Sequence, residues 1–452
     1  MKYESVFEAY DIRGVVPKEI DAKFATLLGK AYVQSQKTKC IAIGYDGRSS
    51  SKKLFQALCK GINMQGCDVV EVGQCSTPHL YYAVAKGKYD GGIMITASHN
   101  AKQYNGFKLL GKEARPIHAG NGSLDILDLM NKNEFDKSMK KGKISKKAWV
   151  NEYKKYLKDA LLSKSKQKIK LSELKLVVDQ SNGSGKLECD VIKQLFPKTI
   201  ILNSRIAGTF PGHEPNPLKF HARKQLVSQV KKQNADLGLI FDGDADRVCF
   251  IDELGEFVRP DLILLLLMDD LKKGKIVYEV RSSKYIPERA NQKGLGAILS
   301  KAGRTNIVDV MKTESAEIGG EGSGHYFFKD FGYMDCAGLA AIKVLNKLID
   351  KKPSDSKKFS EMINELNPYF HSGELNLKVK NQSKAFLLIE QGFKDATKTL
   401  YLDGLSFYYE DYWFNIRKSN TEPLLRINAE ANSQKKLDEI TKKITKLMKL
   451  VK

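Results

Sequence analysis

The sequence predicts an α/β protein built from doubly wound units, with a smaller α+β domain at its C-terminal end. Apolar, strand-like segments such as 40–44, 91–96 and 174–179 alternate with helix-like stretches, which is the pattern of sheets covered by helices. From Pro368 onward the chain is strand-rich and then helical. Because 452 residues are too many for one hydrophobic core, we expect several domains.

Changes in this pattern divide the chain into four predicted domains, which are residues 1–146, 147–252, 253–367 and 368–452. A lysine-rich helix begins the second domain, and the turn-like segment Asp252–Glu256 leads into the third. The longest apolar run, Leu262–Met268, is too short to span a bilayer and predicts a buried helix. We therefore expect no membrane association.

Cysteine usage indicates a reducing compartment. The seven cysteines are at positions 40, 59, 67, 75, 189, 249 and 336, without a Cys-x-x-Cys pair. An odd count without metal-ligand spacing predicts neither a disulfide framework nor a zinc site. The first residues carry no apolar signal region, so we expect a cytoplasmic location.

The chain is strongly basic, with a formal net charge of +22. Such a charge is typical of nucleic-acid-binding proteins, and the lysine-rich segment 132–170 invites that interpretation. Its lysines, however, are interleaved with apolar residues at helical spacing, including Trp149, Tyr153 and Leu157, as in an amphipathic helix linking two domains. The segment 437–451 repeats the pattern, without a nucleic-acid-binding motif. We expect no nucleic-acid partner, and a positive field that attracts dianionic ligands.

The segment Thr96-Ala97-Ser98-His99-Asn100 predicts a loop at the end of a buried strand, because it follows the apolar run Gly91–Ile95. Loops at such a sheet edge line the ligand crevice of open α/β folds. A serine in a loop also commonly caps a helix or closes a turn. Ser98 alone therefore does not define a site.

An acidic cluster, Asp242-Gly243-Asp244-Ala245-Asp246-Arg247, has the chemistry of a hard-cation site. Carboxylates at every second position are close enough to share one ion, and Mg²⁺ binds oxygen ligands in a compact octahedron. The flanking segments 235–241 and 248–251 are apolar and strand-like. An EF-hand is the alternative, with Glu253 at its twelfth position, but Arg247 stands where that loop needs glycine and the flanks are not helical. We therefore predict a metal loop between two strands.

Two further clusters suit a phosphorylated sugar. In Gly319-Gly320-Glu321-Gly322-Ser323-Gly324-His325, glycines allow close approach of the backbone, Glu321 can accept hydrogen bonds from hydroxyls, and His325 titrates near neutrality. The segment Arg417-Lys418-Ser419-Asn420-Thr421 combines a guanidinium with hydroxyl, amide and backbone donors for a phosphate. Taken singly, the two segments also fit a glycine-rich turn and a basic surface turn.

In order and content, these clusters resemble the motifs of the α-D-phosphohexomutase family, specifically its phosphomannomutase/phosphoglucomutase branch. The segment Tyr10-Asp11-Ile12-Arg13-Gly14 is similar to the family's N-terminal motif, and five matches in order are a highly specific signal. The resemblance implies three similar doubly wound α/β domains and a smaller α+β fourth domain around a central cleft. It also implies that hexose 1-phosphate and hexose 6-phosphate (mannose and/or glucose) are interconverted through a phosphoserine enzyme and a hexose 1,6-bisphosphate.

The resemblance assigns a role to each candidate residue. The implied phosphoryl carrier and Mg²⁺ ligands are Ser98, Asp242, Asp244 and Asp246. The implied cations and proton carriers are Arg13, Lys108, Arg247 and His325. The implied substrate contacts are Tyr10, His99, Asn100, Arg281, Arg304, Glu321, Ser323, Arg417, Ser419, Asn420 and Thr421. Sugar phosphates are the expected partners, a hexose 1,6-bisphosphate the expected activator, and a monomer or weak dimer the expected assembly.

The chain departs from the family's pattern at several positions. Ala101 stands where proline is usual, so the serine loop lacks a fixed φ angle. Arg304 stands where members often have histidine, and it can contact a phosphate or sugar but not carry a proton. Arg281 stands where bispecific members have lysine and keeps the charge. These changes affect the expected substrate preference and leave the reaction class unchanged.

Three alternatives remain beside this interpretation. A phosphoglucosamine mutase shares the mechanism, but its sugar loop usually has glutamine where Gly322 stands. A serine hydrolase would use Ser98 and His99, but adjacent side chains point apart on a strand-like backbone and the Gly-x-Ser-x-Gly turn is absent. A metal- or polyanion-binding protein without catalysis would carry no phosphate on Ser98.

Overall fold

The computed structural model describes residues 3–161, 168–349, 357–418 and 424–449, without the side chains of 168–170. Its internal contacts divide the chain into two units. Unit 1 comprises Met1–Pro260 with Ser323–Ser360, and unit 2 comprises Asp261–Gly322 with Glu361–Lys452. This division is coarser than the four predicted domains, whose boundaries stay predictions.

The first sheet of unit 1 is formed by the N-terminal part of the chain. Its strands are β1 (Ile12–Val15), β2 (Cys40–Tyr45), β3 (Asp68–Gln74), β4 (Gly91–Ile95), β5 (Tyr104–Leu110), β6 (Pro116–Ile117) and β7 (Ile144–Lys146). Its helices are α1 (Ala22–Gln36), α2 (Ser51–Met64), α3 (Thr77–Gly87) and α4 (Ser123–Lys132). The strand order is β1-β5-β4-β2-β3-β7, with β6 paired to β5.

The centre of this sheet is parallel and buried on both faces. Strand β2 runs parallel to β3 and β4, and all five residues of β4 are buried. Continuous burial explains why β4 is an unbroken apolar run in the sequence. The helix α3 begins where Ser76 accepts a hydrogen bond from the N–H of His79, with Pro78 in the first turn. The predicted strand and the loop that follows it are confirmed.

The second sheet of unit 1 carries the acidic loop. The helices around it are α5 (Val150–Asp159), α6 (Lys168–Glu173), α7 (Lys186–Leu195) and α8 (Phe220–Gln233). Its strands are β8 (Leu176–Asp179), β9 (Ile200–Leu202), β10 (Leu237–Phe241), β11 (Val248–Ile251) and β12 (Phe257–Val258), in the order β12-β11-β10-β8-β9. The antiparallel pair β10 and β11 is joined by residues 242–247, and the antiparallel pair β11 and β12 by the predicted turn at Asp252–Glu256.

Part of the lysine-rich segment forms the predicted amphipathic helix. Helix α5 buries Tyr153 and Leu157 but leaves Val150 exposed. Trp149 precedes the helix in a left-handed conformation, with φ at 55°. The helix is 10 residues long and covers only part of the lysine-rich segment. Residues 162–167 of that segment lie outside the described residues.

In unit 2 a parallel sheet follows the predicted apolar helix. Its elements are α9 (Pro260–Met268), β13 (Lys275–Glu279), α10 (Tyr285–Gln292), β14 (Gly296–Ser300), α11 (Arg304–Glu314) and β15 (Ile318–Gly320). Strand β13 pairs in parallel with both β14 and β15. The chain then contributes to unit 1 an antiparallel pair and a buried helix, which are β16 (Tyr326–Phe328), β17 (Met334–Asp335) and α12 (Ala337–Ile349).

The C-terminal part of unit 2 is an antiparallel sheet with helices. Its elements are α13 (Phe359–Glu365), β18 (Phe370–His371), β19 (Leu375–Lys378), α14 (Gln382–Gly392), β20 (Lys398–Leu400), β21 (Leu405–Tyr408), β22 (Tyr412–Lys418), β23 (Leu424–Ala431) and α15 (Gln434–Lys449). The strand order is β18-β23-β22-β21-β20, with β19 also paired to β23. The α+β prediction is confirmed, although α14 lies between strands rather than after them. No helix among the described residues is both long and apolar enough to cross a membrane.

Candidate active site

Ser98 lies in a strained conformation just beyond β4. Its φ is +49°, in the left-handed region that residues other than glycine rarely occupy. Its N–H donates to Oγ1 of Thr96 at 2.8 Å, and the side chain is nearly fully buried. The short polar turn after the strand therefore places a serine hydroxyl inside unit 1.

The hydroxyl of Ser98 contacts both an acidic and an imidazole side chain. Its Oγ donates to Oδ2 of Asp242 at 3.2 Å and lies 3.2 Å from Nδ1 of His99. The expectation that Ser98 and His99 point apart was wrong, because it assumed an extended backbone at Ser98. Burial and the charges of Arg247 and Arg13 hold the pKa of His99 well below its ordinary value, which keeps the imidazole neutral.

The three carboxylates of the acidic loop converge. Asp242, Asp244 and Asp246 are fully buried, and one oxygen from each lies within 4.8 Å of the others. Burial and the charges of Asp246 and Asp244 raise the pKa of Asp242 well above its ordinary value. Burial acts the same way on Asp246, but Lys108 and His325 hold its pKa well below the ordinary value. A divalent cation would favour the ionised form of all three.

The donor set fits a hard divalent cation. Within the described part of the chain, Oδ1 of Asp244 is buried and accepts no hydrogen bond, and Oδ1 of Asp246 is buried with an ion-pair contact to Nε2 of His325 at 3.3 Å. Buried polar atoms normally have a partner, and a bound Mg²⁺ would provide one by coordinating these carboxylate oxygens. Since the flanking elements β10 and β11 are strands, the EF-hand alternative is excluded.

Three cations surround Ser98 and the acidic loop. Lys108 on β5 donates through Nζ to Oδ2 of Asp244 at 2.7 Å and also to Asp246. Arg13 on β1 donates to Oδ1 of Asn100 at 2.8 Å. Arg247 places its Nε 3.7 Å from Oδ2 of Asp242. The predicted positive charges are thus gathered around the serine.

His325 is held from both sides of its ring. Nδ1 lies 2.9 Å from Oγ of Ser323, and Nε2 lies 3.3 Å from Oδ1 of Asp246 and 3.5 Å from Oδ2 of Asp335. Arg247 also donates through Nε to Nε2 at 3.3 Å. Asp335 was missed in the sequence because no motif surrounds it. Strand pairing of β16 with β17 is what brings it near the histidine.

In unit 2, Glu321 and Arg281 are brought together by a buried carboxylate. Glu279, at the end of β13, accepts from Nε of Arg281 at 2.7 Å and from the N–H of Gly322 at 3.1 Å. Glu321 accepts from Arg281 at 3.4 Å and from the N–H of Gly303 at 3.1 Å. Glu279 carries no sequence signal. The boundary between the two units falls inside this loop, between Gly322 and Ser323.

Other predicted substrate contacts are distributed over both units. Arg304 is buried at the first position of α11, and Tyr10 is half-buried in the bend before β1. Arg417 on β22 is paired directly with Arg426 on β23. The three residues predicted to complete the phosphate loop, Ser419, Asn420 and Thr421, lie outside the described residues.

The paired arginines share one acidic partner. Glu374 lies 3.7 Å from Nη2 of Arg417 and 3.7 Å from Nη1 of Arg426. Burial, together with the charge of Arg281, lowers the pKa of Arg417. Two adjacent guanidinium groups form a positively charged pair suited to binding an anion.

Models of four consecutive domains of one protein family match nearly the whole chain. Those described as phosphoglucomutase/phosphomannomutase, alpha/beta/alpha domains I, II and III match residues 4–137, 151–255 and 259–369. The model described as the C-terminal domain of the same family matches residues 374–447. The five predicted motifs fall in these ranges in the expected order, two in the first range and one in each of the others.

Known proteins are similar to the chain over its full length. It is 38% identical to a phosphomannomutase of Methanocaldococcus jannaschii, with 98% of this chain and 97% of the relative covered. It is 34% identical to a phosphomannomutase/phosphoglucomutase of Pseudomonas syringae, with 97% and 93% covered. The X-ray structure of a phosphoglucomutase/phosphomannomutase family protein from Burkholderia thailandensis matches with a TM-score of 0.87 at 28% identity, covering 99% of this chain and 97% of that one.

Proposed function

The chain belongs to the phosphoglucomutase/phosphomannomutase family, and on that premise we propose that Ser98 is its phosphoryl carrier. The family and the full-length relatives make it a phosphohexomutase, an isomerase of carbohydrate metabolism. The observation that supports the proposal is the 3.2 Å contact of Ser98 Oγ with Asp242, beside two further buried carboxylates. Phosphoryl transfer depends mainly on positioning and electrostatic stabilisation, and a hydroxyl held beside a cation-binding carboxylate cluster suits both.

The proposed reaction has two symmetrical halves. Phosphorylated Ser98 transfers its phosphoryl group to the free hydroxyl of a hexose monophosphate, which gives a hexose 1,6-bisphosphate. The P–O bond to Ser98 breaks, a P–O bond to the sugar forms, and the sugar's proton ends on Oγ of Ser98. The bisphosphate then reorients and returns its other phosphoryl group to Ser98. Substrate and product are thus isomers, and the enzyme regains its phosphate.

We propose that Mg²⁺ is held by the acidic loop and an oxygen of the Ser98 phosphate. The ligands would be Asp242, Asp244 and Asp246, whose buried and converging carboxylates fit a hard cation. When bound, the ion offsets the negative charge of the phosphoryl group during transfer. Arg13, Lys108 and Arg247 add to that electrostatic stabilisation from the protein.

We propose Lys108 and His325 as the groups that move the proton. His325 is the better placed of the two for a changing protonation state. Its ring is oriented by Ser323 and lies near Asp335 and Asp246, which stabilise an imidazolium. Lys108 donates to two carboxylates, which favour its charged form. In this arrangement Lys108 is the acid and His325 the base when the sugar hydroxyl attacks.

The proposed substrate contacts divide between the sugar and its second phosphate. Glu321 and Ser323 would contact hydroxyl groups of the sugar, and Arg281 and Arg304 would also contact the substrate. Arg417, with Ser419, Asn420 and Thr421, holds the phosphate that is not reacting. His99, Asn100 and Tyr10 complete the site near Ser98. Contacts to hydroxyls and phosphates, rather than to the ring, would allow the sugar to bind in two orientations.

A coupled mutase assay tests the function. We expect turnover of mannose 1-phosphate, glucose 1-phosphate or both in the presence of Mg²⁺ and hexose 1,6-bisphosphate as activator. The names of the relatives support mannose and glucose, and faster turnover of glucosamine 1-phosphate would instead support the phosphoglucosamine alternative. Ser98→Ala should nearly abolish turnover. It should also remove the covalently bound phosphate, which mass spectrometry of the intact protein would detect in the wild type. Activity retained in Ser98→Ala would overturn the phosphoserine mechanism.

We also propose that the enzyme acts on small-molecule sugar phosphates in the cytoplasm and that it is a monomer or a weak dimer. The seven cysteines are free thiols and six of them are buried, which suits a reducing compartment. The net charge of +22 favours capture of dianionic sugar phosphates. Size-exclusion chromatography with light scattering would test the assembly, and a stable tetramer would contradict it.

A further inference from the structure

Arg48 is a buried arginine whose guanidinium group binds the backbone of the serine loop, the segment from Ser98 to Tyr104 that follows β4. Arg48 lies three residues after the end of β2, and it is 3% exposed. Its donors reach four backbone carbonyl oxygens of the loop, with Nη1 bonded to Ala101 at 2.8 Å and Tyr104 at 2.9 Å, and Nη2 to Ser98 at 2.9 Å and Asn100 at 2.6 Å. A planar fork with five donors can satisfy such a set, and a single ammonium cannot.

The guanidinium group is itself held in place by Asp46. Nε of Arg48 donates to Oδ2 of Asp46 at 3.1 Å, and the N–H of Arg48 donates to Oδ1 of the same carboxylate at 3.0 Å. Asp46 also accepts from Oγ of Ser51 at 2.6 Å and is nearly fully buried. The ring of Phe210 lies over the guanidinium carbon at 5.0 Å. Arg48 therefore acts as a rigid support for the loop.

The loop requires such a support for two reasons. Ser98 is held at a φ of +49°, which residues other than glycine rarely adopt. Ala101 has no ring to limit its own φ angle. The carbonyls of Ser98 and Ala101, on the two sides of the turn, are both tied to Arg48. The same guanidinium thus restrains both flexible positions.

We propose that Arg48 is a positioning residue for phosphoryl transfer, which holds Ser98 in the left-handed conformation that directs its Oγ toward Asp242. This inference rests on the proposed role of Ser98 as phosphoryl carrier. Arg48 contacts the backbone of the loop and acts through Ser98. Its loss displaces the reacting oxygen, and a displacement of about 1 Å can cost about 100-fold in rate.

Arg48→Lys tests the proposal because it keeps the charge and removes the fork. We expect kcat to fall by about 10- to 100-fold while KM for the hexose phosphate stays within about twofold of wild type, since substrate contacts are retained. Arg223→Lys is the matched control, because Arg223 also donates to two backbone carbonyls, of Pro217 and Leu218, at 3.0 Å each. We expect that variant to keep the wild-type kcat.

Rescue by a rigid loop separates positioning from a purely structural role. Ala101→Pro limits the loop's φ angle without using Arg48, so the double variant with Arg48→Lys should recover at least about threefold of the lost kcat. A kcat for Arg48→Lys within about twofold of wild type, or an effect confined to KM, would overturn the proposal. If Arg48→Lys does not fold, Asp46→Asn, which releases Nε, is judged by the same criteria. Activity surviving in Ser98→Ala would instead refute the phosphoserine premise.

Discussion

Thr77, the first residue of α3, holds Asp244 of the acidic loop by two hydrogen bonds. Its Oγ1 donates to Oδ2 of Asp244 at 2.5 Å, and its N–H donates to the carbonyl oxygen of Asp244 at 2.9 Å. Lys108 binds the same Oδ2. With Oδ2 occupied by two donors, Oδ1 is the oxygen of Asp244 that is left for a cation. A helix beside the first sheet thereby orients a proposed metal ligand in the acidic loop of the second sheet.

Replacing Thr77 should weaken metal binding without changing the ligands. Thr77→Val keeps the shape and the backbone contact but loses the Oγ1 donor. Partners of this kind are typically worth 10- to 100-fold in metal affinity, so we expect Kd for Mg²⁺ to rise by about 10-fold. Isothermal titration calorimetry would measure the change. Thr77→Ser restores the hydroxyl and serves as the control, and an unchanged Kd in Thr77→Val would contradict the role.

Glu188 is expected to make stability depend on pH. It is fully buried on α7 and accepts from Oγ of Ser76 at 2.5 Å and from the hydroxyl of Tyr153 at 3.1 Å. Burial raises its pKa from 4.5 to about 7, although these hydrogen bonds oppose the shift. Between those two values the folded state binds more protons than the unfolded state. Its contribution to the free energy of unfolding is therefore complete below pH 4.5 and is lost as pH rises through about 7.

Glu188→Gln should remove that pH dependence because the amide does not ionise. The loss in wild type corresponds to about 3 kcal/mol, or several degrees in Tm. The Tm of the variant should therefore increase relative to wild type between pH 5 and pH 8 (differential scanning fluorimetry at one scan rate). Glu439→Gln, at an exposed position of α15, should show no such trend. A difference in Tm between Glu188→Gln and wild type that does not change with pH would refute the prediction.

Gly243 permits the acidic loop and the serine loop to approach each other. A Cβ at this position would lie 2.5 Å from the carbonyl oxygen of Ser98 and 3.3 Å from Cβ of Pro215. Backbone cannot yield without moving Ser98, so Gly243→Ala should reduce kcat by at least about 10-fold and destabilise the fold by about 1–3 kcal/mol.

Steady-state kinetics and thermal denaturation would measure both effects of Gly243→Ala. Gly111→Ala is a suitable control because its Cβ would meet only the carbonyl oxygen of Arg115, at 3.8 Å. That variant should keep the wild-type kcat. A Gly243→Ala enzyme with normal kcat would show that the serine loop tolerates displacement.

His325→Gln distinguishes a proton carrier from a binding residue. If His325 moves a proton, kcat should fall by about 100-fold or more, with KM within a few-fold of wild type. Initial-rate kinetics on the preferred hexose phosphate would separate the two parameters. The exposed His221, which lies 3.1 Å from Glu214, provides the control substitution to glutamine. A change in KM alone would assign His325 to binding.

Much of the fold was predictable because its signals are local. Strand β4 and the pair β10 and β11 are short apolar runs, and the hairpin turn after β11 has the charged and glycine residues of a turn. Helix α5 occupies only part of the lysine-rich segment, and of its apolar residues Tyr153 and Leu157 are buried. Burial of one face depends on neighbours that the local pattern does not contain.

The sequence by itself determined which residue types stand in each loop, and so the chemistry available to unit 1 and to unit 2. Tertiary structure decided their conformation and their partners. The left-handed turn at Ser98 brings His99 to its hydroxyl, which an extended chain would prevent. Thr77, Asp335 and Glu279 belong to no motif, since Thr77 and Asp244 are 167 residues apart and meet only when the two sheets pack. Contacts between distant residues depend on how elements pack, and periodicity along the chain carries no information about that.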